Sequence, residues 1–282
     1  GRSPRASMSA DAAIRTAPSS ATAAGDCRGS VLVSGSYGGE YNAYHAGKRG
    51  LRGVILNDAG VGRNGAGIRG LAYLDSVGLA AAAADANSCH IGDGDHMLEH
   101  GRISHMNRTA AAWGCRIGDP VRHCAELMCA APIVDAPMPP IEGGRRYTIS
   151  DRPGEPAVIC LDAAPMLLDE DAGRIVITGS HAALFRGKPD DVVRPAVRAI
   201  FFSDAGVGLD GAGIARLPVL DARGIVAATV SAASAEIGNS RSIYAEGVVS
   251  HANAAAVALG CRVGSRLQDF VAALIARRRE NP

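Results

Sequence analysis

The chain has 282 residues, enough for one large domain or two ordinary ones with a substantial core. Hydrophobic residues make up 47% and charged residues 20%, as in globular proteins, while a formal net charge of +1 excludes the strongly basic surface of an electrostatic nucleic-acid binder. No apolar run reaches the length that a bilayer requires, so we expect neither a membrane nor a nucleic acid as partner.

Residues 1–28 are rich in alanine, serine and arginine and have no apolar stretch of the kind found in secretory signals. This composition predicts a disordered leader. Throughout the chain, seven cysteines form no CxxC pair and are odd in number. Such a set is typical of buried thiols in a reducing compartment, so we expect a cytoplasmic protein.

Two stretches of the chain carry the same motifs in the same order. Residues 57–62 (NDAGVG) are answered by residues 203–208 (SDAGVG), 146 positions later, and the same offset relates 104–105 (SH) to 250–251 (SH). A period this long predicts a duplicated domain rather than a solenoid. We expect repeat 1 over 29–130, a linker with a hairpin over 131–173, and repeat 2 over 174–282, related by pseudo-twofold symmetry.

Apolar runs alternate with helical stretches in each repeat. The first apolar run, at 31–33 in repeat 1 and 175–177 in repeat 2, is followed by Ser/Thr-Gly-Ser. The second run, at 53–56 and 199–202, is followed by Asp58 and Asp204. A glycine-rich turn then begins a helix, which ends before a third apolar run. This alternation predicts an α/β fold with a mainly parallel sheet of Rossmann-like βαβ units. Ser104 and Ser250 are interpreted as helix N-caps.

The repeated polar residues follow the predicted strands, where ligands of parallel sheets bind. The candidate nucleophiles are Ser36 and Ser180, the candidate bases His105, His181 and His251, and the orienting groups Asp58 and Asp204. A Ser-Gly-Ser turn offers backbone N–H groups that could hold an oxyanion. We therefore expect an enzyme, a hydrolase, that cleaves an amide or ester-like bond of a small polar or anionic metabolite in a cleft between the repeats.

His90 and Glu236 occupy equivalent positions in the two repeats. If the repeats pack about a twofold axis, these two side chains could meet as an acid–base pair. His90 also belongs to a group with Asp93, His96 and His100 that could hold a divalent metal. Glycines leave little more than one helical turn for that group, and repeat 2 keeps none of it, so we expect no metal and no cofactor.

Two glycine-rich turns offer an alternative function. The glycines Gly60, Gly62 and Gly65, and then Gly206, Gly208 and Gly211, fit G-x-G-x-x-G between a strand and a helix. Their N–H groups would attract phosphate, which predicts an NAD-, FAD- or ATP-dependent enzyme, although an aspartate before the first glycine would repel it. A second alternative is a non-catalytic small-molecule-binding subunit, and a homo-oligomer remains open.

Overall fold

A computed structural model of the chain describes residues 14–189 and 192–280. The fold is α/β, with two mixed and mainly parallel sheets, as the alternating pattern predicts. The first sheet contains β1 (Ile14–Ala17), β2 (Val31–Tyr37), β3 (Gly53–Asn57), β4 (Ala80–Ala84) and β5 (Ile103–Met106), paired in that order. β1 to β4 run parallel, and β5 pairs antiparallel with β4.

The second sheet contains β6 (Arg146–Ser150), β7 (Val158–Leu161), β8 (Ile175–His181), β9 (Ala199–Ser203), β10 (Val226–Val230) and β11 (Val249–Ala252), also paired in chain order. β7 to β10 run parallel, while the outer strands β6 and β11 are antiparallel to their neighbours. We refer to residues 14–130 as the N-terminal half and to 146–280 as the C-terminal half.

Helices cover both faces of each sheet. In the N-terminal half they are α1 (Glu40–Gly47), α2 (Arg69–Asp75), α3 (Gly94–His100), α4 (Arg108–Ala112) and α5 (Val121–Met128); in the C-terminal half they are α6 (Arg216–Ala222), α7 (Ser240–Glu246), α8 (Ala254–Ala258) and α9 (Leu267–Glu280). Alternate strand residues point to opposite faces, so Leu56 packs in the core that contains Leu74 of α2, whereas Ile55 packs in the core that contains Met97 of α3. This two-sided burial explains the unbroken apolar runs.

Three sequence interpretations are wrong. Residues 14–28 are not a disordered leader, because β1 adds to the edge of the first sheet; only 1–13 of that leader lie outside the described residues. Ser104 and Ser250 lie in β5 and β11, and the helix caps are instead Asn107 and Asn253, whose side chains accept N–H groups of α4 and α8. The strand order is sequential, so these sheets lack the order reversal that makes a Rossmann dinucleotide crevice.

The two halves contact each other through their glycine-rich turns. The N–H of Arg63 donates to the carbonyl of Ala232 at 2.8 Å, and the N–H of Leu209 donates to the carbonyl of Ala86 at 2.9 Å. At the centre, a Cβ added to Gly206 would come within 2.9 Å of the Cα of Gly60. Only glycine permits this approach of the two backbones.

Candidate functional site

A cavity of about 370 Å³ lies between the halves, at the carboxyl ends of β2 and β7, and we call it the interface cavity. Its polar lining includes Tyr37, Arg69, Tyr147, Asp162, Glu236 and Arg241. Tyr37 is the last residue of β2, and Asp162 directly follows β7. The volume is within the range of about 300–1,000 Å³ that small-molecule sites occupy.

The Tyr37 side chain is only 6% exposed, yet its hydroxyl has no hydrogen-bond partner among the described residues. Gly238 leaves just enough space for this hydroxyl, since a Cβ there would come within 2.5 Å of it. Burial, and then the negative charge of Asp162, raise the pKa of Tyr37 far above its ordinary value. The phenol therefore stays protonated and offers an O–H donor to the cavity.

Asp162 is a buried carboxylate held by neutral donors. Its Oδ1 accepts the N–H and the O–H of Ser240 at 3.0 and 2.7 Å, and its Oδ2 accepts the N–H of Arg145 at 3.0 Å. Within the described part of the chain, no cationic side chain forms an ion pair with it. Its charge acts across the cavity, where it adds to burial in raising the pKa of Tyr41 as well as Tyr37.

Glu236 joins the two halves at the rim of the cavity. Its carboxylate accepts hydrogen bonds from Asn64 at 2.8 Å and from Arg69 at 3.1 Å, both in the N-terminal half, and from Asn239 at 3.2 Å. Burial alone would raise the pKa of Glu236, but these hydrogen bonds and the charge of Arg69 lower it to about 2. Glu236 is thus a fixed anion that neutralises Arg69 and is too weakly basic to take up a proton at neutral pH.

His90 and Glu236 do not form the predicted acid–base pair. The Nε2 of His90 lies 2.7 Å from the carboxylate of Asp210, whereas Glu236 is engaged with Arg69 and Asn64. His90 also stacks on His96, with ring centroids 3.7 Å apart. Across residues 14–189 and 192–280, no group of three or more histidine, cysteine, aspartate or glutamate side chains has an arrangement that could hold a metal ion.

Ser36, Ser180 and His181 line a second cavity, of about 40 Å³, which shares Tyr37 with the interface cavity. Both serines lie within strands β2 and β8, so the predicted Ser-Gly-Ser turn with its free N–H groups is wrong. Each hydroxyl oxygen accepts a backbone N–H, at 2.9 Å for Ser36 and 2.8 Å for Ser180. The Nδ1 of His181 accepts the N–H of Ala183 at 3.1 Å, which leaves it unavailable as a base at that nitrogen.

His105 and His251 lie in two other surface grooves, which share no lining residue with either cavity. The Nδ1 of His105 is 3.0 Å from the hydroxyl of Ser104. The Nδ1 of His251 is buried without a hydrogen-bond partner in the described part of the chain. The expectation that these histidines act on Ser36 or Ser180 in the cleft is therefore wrong, since β5 and β11 carry them elsewhere.

Asp58 and Asp204 stabilise the glycine-rich turns. The Oδ1 of Asp58 accepts the N–H of Gly60 at 2.9 Å and that of Ala86 at 3.0 Å. The Oδ1 of Asp204 accepts the N–H of Gly206 at 2.9 Å and that of Ala232 at 3.0 Å. These carboxylates tie each turn to the end of the next strand.

Asp58 is also linked to one of the nominated histidines. Its Oδ2 accepts the hydroxyl of Ser104 at 2.8 Å, and the same hydroxyl lies 3.0 Å from the Nδ1 of His105.

The glycine-rich turns do not offer a phosphate site. The N–H groups of Gly60, Gly62 and Gly65, and of Gly206, Gly208 and Gly211, all donate to protein oxygens. A phosphate at such a turn requires free N–H groups. The halves also press these turns against each other, so the geometry contradicts the nucleotide alternative.

Sequence reasoning nominated Glu236 and missed the other groups of the interface cavity. Tyr37 carried one signal, because it stands in a repeat block where the second copy has His181. Asp162 and Arg241 carried none, since the former lies in the segment between the repeated blocks. Only the packing of the two halves brings these side chains together.

The chain matches no protein-family model, and no curated protein or solved structure is significantly similar to it. Within the described residues, none of the helices combines the length and the apolar composition that a membrane span needs.

Proposed function

We propose that the chain binds a small polar metabolite in the interface cavity and hydrolyses an amide or ester-like bond of it. The observation that carries this proposal is the protonated hydroxyl of Tyr37, which lines the cavity and has no hydrogen-bond partner among the described residues. This O–H is therefore free to donate to a ligand oxygen. A carbonyl oxygen is the acceptor that fits a neutral phenol.

Tyr37 would contribute more as the reaction proceeds. When water adds to a carbonyl carbon, negative charge develops on the carbonyl oxygen, and a fixed donor in a buried site stabilises that charge. The adduct then collapses to the acid as its C–N or C–O bond breaks, and the proton lost by the added water passes to the departing amine or alcohol. The nucleophile in this proposal is water rather than Ser36 or Ser180, whose oxygens already accept backbone N–H groups. At about 370 Å³, the cavity has room for a small substrate and a water of about 30 Å³.

The matched variants Tyr37→Phe and Tyr244→Phe test the proposal. Each removes one phenolic hydroxyl, but Tyr244 lies outside the interface cavity. Purified variants are screened by thermal shift against small amides and esters, and hits are assayed for turnover. We expect Tyr37→Phe to lose most of the ligand response and at least tenfold in turnover, with Tyr244→Phe unchanged. Equal responses of the two variants would remove Tyr37 from the site.

A second function, binding without turnover, is favoured by one observation. Among the residues that the structure describes, no histidine lines the interface cavity, and its Glu236 is too acidic to serve as a general base at neutral pH. Ligand-induced stabilisation with no product formed, by mass spectrometry after prolonged incubation, would identify a binding subunit.

We also propose that the two halves arose by duplication and are related by pseudo-twofold symmetry. A further proposal, the third, is that the protein works in the cytoplasm. Support for the first two comes from the 146-residue offset and from the matched contacts of Gly60 with Gly206. The free state of all seven thiols supports the third. A crystal structure in which the two halves superpose after a rotation far from 180° would remove the symmetry.

A further inference from the structure

We propose that the ligand of the interface cavity carries a positively charged amine close to its acceptor oxygen, as α-amino amides and α-amino esters do. This inference rests on the proposed function. It narrows the small polar metabolite of that proposal to a cationic one and replaces the anionic metabolite that the sequence also predicted. It is carried by the balance of charge on the cavity wall and by the state of Asp162.

The wall of the cavity carries more acids than bases. Its ionisable Asp, Glu and Arg side chains are Glu40, Glu142, Asp162, Glu236, Arg69 and Arg241, four acids against two bases, so their formal charge is −2. Glu236 and Arg69 neutralise each other across the rim at 3.1 Å. The guanidinium of Arg241 lies 4.2 Å from the ring centroid of Tyr147. What remains is an excess of negative charge facing the cavity, which attracts a cation and repels a carboxylate.

Asp162 is the acid that a ligand amine would reach. It is 5% exposed, and neutral N–H and O–H donors alone hold it in place. Its oxygens are satisfied, but no cationic side chain of the described residues lies within ion-pair distance of it, so its negative charge has no direct counter-charge. An ammonium group in the cavity would supply the missing counter-charge.

The same ligand must also satisfy Tyr37. Asp162 and Tyr37 line one cavity, and close backbone packing connects them: a Cβ on Gly238 would come within 2.5 Å of the Tyr37 hydroxyl, and a Cβ on Gly179 would come within 2.8 Å of both Gly238 and the carbonyl of Asp162. A ligand that serves both groups therefore has its ammonium and its acceptor oxygen a few atoms apart. The tyrosine rings of the wall add a surface that favours cations over anions.

Isothermal titration calorimetry at pH 6.5 with three probes tests this inference. L-Leucinamide carries the ammonium and the amide, 4-methylpentanamide lacks only the ammonium, and 2-carbamoyl-4-methylpentanoate carries a carboxylate on the same carbon in its place. We expect leucinamide to bind at least tenfold more tightly than 4-methylpentanamide, and 2-carbamoyl-4-methylpentanoate to bind most weakly. If 4-methylpentanamide or 2-carbamoyl-4-methylpentanoate binds as tightly as leucinamide, the cationic class is wrong while the proposed function stands. If none of the three binds, both fall.

Asp162→Asn removes the charge and keeps the shape, and Asp151→Asn is its control, since it removes one charge from an exposed site outside the cavity. We expect Asp162→Asn to weaken leucinamide at least tenfold and 4-methylpentanamide less than about twofold, with both affinities unchanged in Asp151→Asn. Should Asp162→Asn not fold, the pH dependence of the natural chain decides. Leucinamide affinity should fall about tenfold per pH unit above the amine pKa of about 8; a flat profile overturns the inference.

Discussion

The carboxylate of Glu236 links the two halves, and Glu236→Gln tests how much that link stabilises the fold. Glutamine keeps the size of the side chain and one acceptor oxygen, but it brings an N–H₂ group toward the donors Arg69 and Asn64 and carries no charge. Because the pKa of Glu236 is lowered from 4.5 to about 2, the folded state favours its ionised form. The variant should therefore be less stable at neutral pH.

The pKa change sets the magnitude. A lowering of about 2.5 units, at about 1.4 kcal/mol each, gives an upper limit of about 3.5 kcal/mol. The side chain of Arg69 is 41% exposed, so solvent screens part of this, and we expect a loss of about 1–2 kcal/mol at pH 7. A folded pKa below the unfolded one gives stabilisation that is complete above about pH 4.5 and disappears as the pH falls toward 2.

Thermal unfolding of both proteins from pH 7 down to pH 2.5 measures this difference. At pH 7, Glu236→Gln should melt about 2–8 °C below the natural chain, and the gap should narrow steadily between pH 4.5 and 2.5. Glu99→Gln is the control, since its 71% exposed carboxylate lies 3.6 Å from His100, and we expect a change under about 0.5 kcal/mol. A gap of constant size at every pH would show that ionisation of Glu236 is not its source.

Three further changes probe the contact between the halves and the thiols. Gly206→Ala would place a Cβ within 2.9 Å of Gly60, and urea unfolding should show that the free energy of unfolding falls by more than about 2 kcal/mol. The control is Gly224→Ala, with φ +69° and no atom within 4 Å, for which the free energy of unfolding should fall by only about 1 kcal/mol. Equal losses in the two variants would exclude a steric cause. Asp204→Ala removes the acceptor of two turn N–H groups, so the same assay should show a loss of about 2–4 kcal/mol; an unchanged midpoint would contradict this. Cys129 is half-buried while the other six cysteines are buried, so Cys129→Ser should abolish the fastest reaction with a thiol reagent at pH 8. A fast phase of unchanged size in the variant would contradict this.

The sequence predicted the layers of the fold because each layer has a local signal. The five alanines of β4 are all buried, and as an unbroken apolar run they indicated a strand covered on both faces. The glycine-rich turns likewise marked where β3 ends. Ser104 illustrates the opposite case, because a polar residue before a helix resembles a cap, and only the pairing of β5 with β4 shows that Ser104 belongs to a strand.

The site was not predictable in the same way, because its residues are far apart in the chain. Tyr37 and Asp162 meet only when the two halves pack, and neither belongs to a recognisable motif. Ser36 and Ser180 line a cavity next to the interface cavity, but their surroundings do not suit the predicted role of nucleophile. The strands β2 and β8 continue through them, and their hydroxyl oxygens accept backbone N–H groups. Hydrogen-bond saturation depends on the folded backbone and is invisible in the sequence.

The repeated motifs do not imply two sites, because the equivalent of the interface cavity is filled. Gly238 leaves space for the Tyr37 hydroxyl, and Gly92 is the residue 146 positions before it. The corresponding space at Gly92 is occupied by the backbone of the loop after β8. A Cβ on Gly92 would come within 2.6 Å of the carbonyl of Leu184, and the N–H of Arg186 donates to the Gly92 carbonyl at 3.0 Å. The loop with Leu184 and Arg186 follows β8, whereas helix α1 follows β2 in the N-terminal half. This difference in one connection leaves the interface cavity open at Gly238 and the space at Gly92 filled. Calorimetry should therefore give one ligand bound per chain.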